Sequence, residues 1–189
     1  PGLNSGRWAT PSGKIEIWCE ALAKEGKDPL PAHVPEREGF FSTERKRQYP
    51  LQVLSPATHY FIGASFQHVP RLQAMMSRQT FEIAEADARA RGIADGDFCR
   101  LYNDRGEVFG HALIVPGMMP GVLSAPKQLQ GSRQANGVNI NALVSQEEAD
   151  MGRGPVFYST LAELEKVADP ASVRPIDAIT TAPASKAHD

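Results

Sequence analysis

Between Tyr49 and Pro126 most apolar stretches are cut short by a proline, a glycine or an acid followed closely by glycine. Ser55-Pro56 ends the run Tyr49–Leu54, Asp95-Gly96 precedes Phe98–Asn103, and Asp104-Arg105-Gly106 separates that run from Glu107–Val115. Pro116-Gly117 and Pro120-Gly121 then stand ahead of Val122–Pro126. Proline removes a backbone donor and glycine accepts turn conformations, so runs this short cannot be long helices. Their alternation of apolar and polar residues is that of strands. One helix pattern is clear, Glu85–Arg91, with acids in its first turn, arginines in its last and Gly92 behind it. Many short strands, one clear helix and no βαβ rhythm predict a mainly-β compact barrel with short inserted helices, not a doubly wound sheet.

The remaining segments divide the chain into an N-terminal arm and linker (1–48), a barrel (49–168) and a tail (169–189) rich in Pro, Ala, Ser and Thr that is expected to be disordered. Within the arm, Trp8–Lys14 reads as a turn, Ile15–Trp18 as a short strand, and Cys19–Glu25 as a brief helix stopped by Gly26. The prolines from Pro29 to Pro35 forbid regular helix. Glu44-Arg45-Lys46-Arg47-Gln48 reads as a solvated linker rather than a phosphate patch. His68–Met76 has the spacing of a helical turn or an irregular packed segment. Gly106 is expected to take the left-handed conformation of a tight hairpin, and Ser145 to cap a short helix ending near Met151-Gly152. Ser159–Val167 reads as the last strand.

Bulk properties exclude several function classes. With 189 residues, 41% of them apolar and 22% charged, the chain has room for one sizeable core. A net charge of -2 and a pI near 6.3 give no reason to expect nucleic acid or an anionic membrane as partner. Cys19 and Cys99 form no CxxC pair and are expected as two buried thiols in preference to a disulfide, and the five histidines show no HExxH spacing. No protein-ligated metal is expected. No apolar run approaches the ~20 residues needed to span a bilayer, and the start has no basic-then-apolar signal. A chain that begins with Pro and lacks Met is expected to be a piece of a longer polypeptide, and a cytoplasmic location is expected.

Two stretches stand apart as candidate binding segments. In the first, the strand Tyr49–Leu54 runs into a hydroxyl-rich loop, Ser55 to Phe66, with one imidazole at His59; loops leaving strand ends carry ligand contacts disproportionately often. The second, Gln128–Asn141, is polar, amide-rich and too long for a simple connector. Ordinary structural roles compete at each position: Ser55 as a strand terminator, His59 as a packed histidine, Asn139, Asp150 and Tyr158 as caps or loop anchors. A hydrolase built on Ser55 or Ser65 with His59 lacks a Gly-x-Ser-x-Gly elbow and an orienting acid. A free-standing barrel serving protein recognition is the other alternative.

Four pieces carry a family likeness in order: Thr10-Pro-Ser-Gly-Lys-Ile-Glu16; Tyr49-Pro-Leu with Ser55-Pro56 and His59; Asp87-Ala88, Arg91-Gly-Ile-Ala-Asp-Gly-Asp97 and Asn103-Asp-Arg-Gly106; and Pro120-Gly-Val122 leading to Asn139-Ile-Asn-Ala-Leu143. On these the chain resembles the C-terminal molybdopterin dinucleotide-binding domain of the dimethyl sulfoxide reductase superfamily of molybdenum and tungsten oxidoreductases. The resemblance implies a double-psi β-barrel that covers molybdopterin guanine dinucleotide carrying Mo or W. Upstream domains of the same polypeptide would supply the metal ligand and catalysis, with an iron–sulfur or electron-transfer subunit as a further partner. It implies no nucleic acid partner, no membrane span and no redox activity for an isolated copy. Matching the family's motif positions, it implies cofactor contacts at Ser55, Ala57, Thr58, His59, Ser65, Phe66, Asn139, Asn141, Asp150, Phe157 and Tyr158, and no catalytic or metal-binding residue. The chain departs from the pattern at Ala57, Gly63, Ala64 and Tyr158, where many relatives carry an arginine, a histidine or asparagine, and a lysine.

Overall fold

Six short strands close on themselves. In a computed structural model, β1 (Leu51–Leu54), β2 (Thr80–Ile83), β3 (Phe98–Tyr102), β4 (Glu107–Ile114), β5 (Val122–Ser124) and β6 (Leu161–Lys166) form a closed barrel in the order β1-β5-β2-β4-β3-β6. Two pairings are parallel: β1 with β5, Gln52 opposite Val122, and β2 with β4, Thr80 opposite His111. The other four are antiparallel. Closure leaves no exposed sheet edge, which is how strands this short remain satisfied. The structure describes residues 6–30, 32–127, 131, 134–149 and 152–173.

The two-residue period explains the core. Leu51 and Val53 point inward with Phe81, Ile83, Cys99, Leu101, Val108, Ala112, Leu123 and Leu164, all buried, while Leu54 and Leu113 face outward. Gly110 occupies an inward position of β4 where the backbone of Gln79 crosses; a Cβ there would stand 2.9 Å from the Gln79 carbonyl oxygen. A larger residue would force the start of β2 away from β4.

Register sorts the connections by barrel end. The C-terminal ends of β1, β3 and β5 and the starts of β2, β4 and β6 lie together. The β1–β2, β3–β4 and β5–β6 connections therefore all emerge at one end. At the other end, α4 (Glu85–Ala90) follows β2, and Asp87 Oδ2 accepts from the Gly121 N–H at 2.7 Å, joining the β2–β3 and β4–β5 connections. Among the described residues the other α-helices are α1 (Glu20–Lys24), α2 (Thr43–Gln48) and α3 (Pro70–Met75), the last with Pro at its first position, where no donor is lost.

The chain divides into two compact units, Pro1–Pro35 and Glu36–Asp189. In the first, α1 ends at Gly26, whose φ of 72° is the left-handed stop that glycine accepts. Several expectations fail for identifiable reasons. Ile15–Trp18 is no strand: among the described residues no strand pairs with it, and Ile15 and Ile17 stay 67% and 71% exposed. Glu44–Gln48 is helix rather than linker, because Arg45 is anchored to Glu38 and Asp104. Gly106 is not left-handed; its missing Cβ lets the hairpin lie against Ala142, whose Cβ and carbonyl oxygen would both be 3.2 Å from an added methyl. Ser145 opens no helix among the described residues. Its Oγ accepts from the Glu147 N–H at 3.1 Å, and the chain is drawn into an antiparallel bridge, Glu148 with Pro155. Past Ala168, Pro170–Ser172 forms a 3-10 turn capped by Asp169, and residues 174–189 lie outside the described set.

Candidate functional site

Three segments meet at the end of the barrel that carries the β1–β2 and β5–β6 connections. Past the last residues of β1 and β5 the ladder continues, Ala125 N–H to Leu54 O at 2.8 Å and Lys127 N–H to Pro56 O at 3.0 Å. On the other flank of β1, the Val53 N–H donates to Thr160 O at 2.9 Å and the Gln52 side-chain amide donates to Tyr158 O. The Lys127 ammonium lies 5.8 Å from the centre of the Phe157 ring. Ser55, Lys127 and the Phe157-Tyr158 turn are thus brought together by strand register, although roughly a hundred residues separate the first from the last.

Asn141 reaches the same end from a 3-10 turn, Ile140–Leu143. Asn139 caps the turn, its Oδ1 accepting from the Asn141 N–H at 3.0 Å. Ile140 and Leu143 anchor the turn in the core and leave the Asn141 amide exposed. Asn141 and Val144 share a cleft of about 340 Å³ with Arg153, Pro155, Phe157 and two acids, Glu147 and Glu148, the first of them paired with Arg37 at 3.1 Å. Arg153 holds a φ of 51°, a strained conformation for a side chain of its kind.

Behind the turn lies a partly buried ion pair, with Glu38 the more enclosed partner. The Arg105 guanidinium donates to both Glu38 oxygens at 2.8 Å and through Nε to Leu143 O at 2.8 Å. The Asn103 amide adds bonds to Leu143 O at 2.9 Å and Leu161 O at 3.1 Å. Glu38 Oε1 also accepts from the Leu161 N–H at 2.7 Å, and the Arg45 Nε stands 3.1 Å from Oε2, close enough to pair as an ion though poorly aligned as a donor. Burial pushes the Glu38 carboxyl upward, but the Arg105 and Leu161 hydrogen bonds, with the charges of Arg105 and Arg45, outweigh it and hold the group below its ordinary 4.5.

Other expected site residues fall differently. Thr58 Oγ1 accepts from the Phe61 N–H at 3.2 Å, so it closes its own loop. Ala57, His59, Ser65 and Phe66 are exposed on that loop, and none of them lines the cleft of Asn141 and Phe157. Asp150 lies outside the described residues. Sequence reasoning passed over Lys127, Arg153 and Glu38. Lys127 could have been found as a cation directly behind a strand end, and it stands beside Phe157 although Tyr158 itself is no lysine. A larger groove of about 760 Å³ follows the barrel wall past Arg100, Glu107 and Glu165, but Arg100 is already paired to both acids, at 2.5 and 3.0 Å. Its charges are spent on one another.

Residues 51–161, from the first residue of β1 to the first of β6, match the family described as Molydopterin dinucleotide binding domain. The chain belongs to that family. This dinucleotide-binding domain is 37% identical over 172 residues to the dimethyl sulfoxide reductase DmsA of Escherichia coli K12, covering 84% of the chain and 21% of that protein. It is 29% identical to the probable oxidoreductase YoaE of Bacillus subtilis 168, over 87% of the chain and 23% of that protein. It therefore spans about a fifth of the length of the curated relatives it matches. Among solved structures, the acetylene hydratase of Pelobacter acetylenicus superposes with a TM-score of 0.74 at 18% identity, covering 85% of the chain and 24% of the hydratase. At that identity the likeness establishes the fold.

Proposed function

We propose that this chain is the domain of a molybdenum or tungsten oxidoreductase that covers and holds molybdopterin guanine dinucleotide, with the Lys127–Asn141–Phe157 end of the barrel as its contact surface; Ser55, buried beneath it, supports that surface and is not itself exposed to the ligand. The two parallel strand pairs linked through antiparallel neighbours support a double-psi path for the barrel. The observation that carries the reading is the convergence of an exposed amide, two cations and two exposed aromatic rings at one barrel end. A pterin or guanine edge needs amide donors and acceptors, a ring face needs an aromatic partner, and a pyrophosphate needs cations. Asn141 fits the first, Phe157 and Tyr158 the second, Lys127 and Arg153 the third.

When bound, the cofactor supplies the redox chemistry at its metal. The residues of this chain bind, orient and exclude water; the metal ligand and the substrate pocket belong to upstream domains of the longer polypeptide, and electrons arrive through an iron–sulfur or other electron-transfer partner. Replacing Asn141 and Phe157 by alanine in the full-length enzyme is expected to lower molybdenum and pterin content together, while the thermal unfolding of the domain changes little. Unchanged cofactor content in the double variant would refute the assignment.

A further inference from the structure

We propose that Glu38 is a positioning residue for the cofactor cleft: one carboxylate fixes the spacing between the wall that carries Asn141 and the wall that carries Phe157 and Tyr158. The proposal rests on the reading of this barrel end as the cofactor site. Glu38 precedes β1 and lies ahead of the matched residues 51–161. Its two oxygens nevertheless meet both walls. Through Arg105 it holds Leu143 O, the last carbonyl of the turn that presents Asn141. Through Oε1 it also accepts the Leu161 N–H, three residues past Tyr158. Thr160 between them is buried and its Oγ1 donates to Phe157 O at 3.2 Å, so a shift of Leu161 is passed directly to the aromatic turn.

The arrangement is more specific than general stabilisation requires. A hydrophobic residue of similar volume would serve a core at least as well as a buried ion pair, whereas a bidentate pair fixes geometry. Here the planar guanidinium has three of its nitrogens engaged, two on Glu38 and one on Leu143, which leaves the turn little freedom to rotate. Gly106 closes the stack by letting the hairpin lie against Ala142. The cofactor-binding unit accordingly begins with the segment from Glu36, within the same compact unit as the barrel.

The test compares the wild-type chain with Glu38→Gln, which keeps volume and a hydrogen bond, and with Glu38→Asp as the conservative variant. Amide hydrogen exchange is read at Ala142 and Val144 on one wall, at Ser159 on the other, and at His111 and Ala112 in the barrel ladder; each N–H is hydrogen-bonded. Affinity for guanosine diphosphate, half of the dinucleotide, is measured by calorimetry. Glu38→Gln is expected to speed exchange about tenfold at both walls, to leave the ladder within about twofold, and to weaken the nucleotide about fivefold. Glu38→Asp should recover part of both effects. Exchange unchanged at either wall, uniform acceleration through the ladder, or full nucleotide affinity with loosened walls would overturn the proposal. Wall-specific loosening in a chain whose wild type does not bind the nucleotide would sink the cofactor reading instead and leave the coupling standing.

Discussion

Replacing Gly110 by alanine should destabilise the barrel, against the usual sign of such a change. Gly110 has no left-handed φ, and at compatible backbone conformations glycine to alanine normally gains about 0.4–1 kcal/mol by restricting the unfolded chain. Here the new methyl would sit 2.9 Å from Gln79 O, 3.0 Å from its Cγ and 3.1 Å from its Cβ. The carbonyl cannot step aside cheaply, because it accepts the His111 N–H at 2.9 Å and the Gln79 amide is tied to Thr80 O and Pro126 O. Overpacking of this kind costs about 1–3 kcal/mol, and weakening one ladder hydrogen bond adds about 1. The net expectation is a loss of about 1–3 kcal/mol, or a fall in Tm of roughly 3–9 °C for a domain of this size. Gly154→Ala, with nothing within 4 Å of the added carbon, is the control and should stay within about 0.5 kcal/mol. Urea titration with calorimetry decides the matter. A Gly110→Ala chain as stable as wild type would show that β4 and the start of β2 are not packed this closely.

Leu123→Ala, which empties a fully buried position between β1 and β2, should cost about 3–5 kcal/mol, whereas Leu113→Ala on the outer face, 41% exposed, should cost less than about 1; equal losses in urea titrations would contradict barrel closure. Cys99 is fully buried, and burial, with the nearby Asp97 carboxylate, pushes its thiol up to about 11; a thiol-reactive dye should label Cys19 in the native chain and Cys99 only after unfolding, and rapid native labelling of both would refute the core assignment. The depressed Glu38 carboxyl contributes stability that is complete above its ordinary 4.5 and is lost as pH falls through the lower folded value. The urea midpoint should therefore be flat from about pH 7 to 5 and fall in more acid solution, less steeply in Glu38→Gln; parallel pH curves for the two chains would argue against the partly buried pair.

Local chemistry made much of the barrel legible. Glu85–Ala90 announces itself through its charge order, and the hairpin of β3 and β4 through alternation on either side of Asn103-Asp-Arg-Gly106. The failures share a cause. Ile15–Trp18 alternates like a strand but has no strand partner among the described residues, and a strand is defined by its neighbour. Arg45 reads as part of a solvated run because the acids that hold it, Glu38 and Asp104, are brought near only by the fold. The same holds at the site: Asn141 and Phe157 were visible as residue types, but the cleft between them follows from the register of β6 against β1 and from a carboxylate ahead of both. Lys127 was hidden because its neighbour Phe157 comes thirty residues later.

The central claim, that one end of the barrel holds a guanine dinucleotide, is tested most directly by titrating the isotope-labelled chain with guanosine diphosphate and following backbone amide shifts. The account predicts saturable shifts at Ser55–Thr58, Lys127, Asn139–Val144 and Phe157–Tyr158, with Glu85–Asp97 and Gly117–Gly121 at the opposite end unmoved. Shifts centred on the opposite end, or none at any nucleotide concentration, would contradict it.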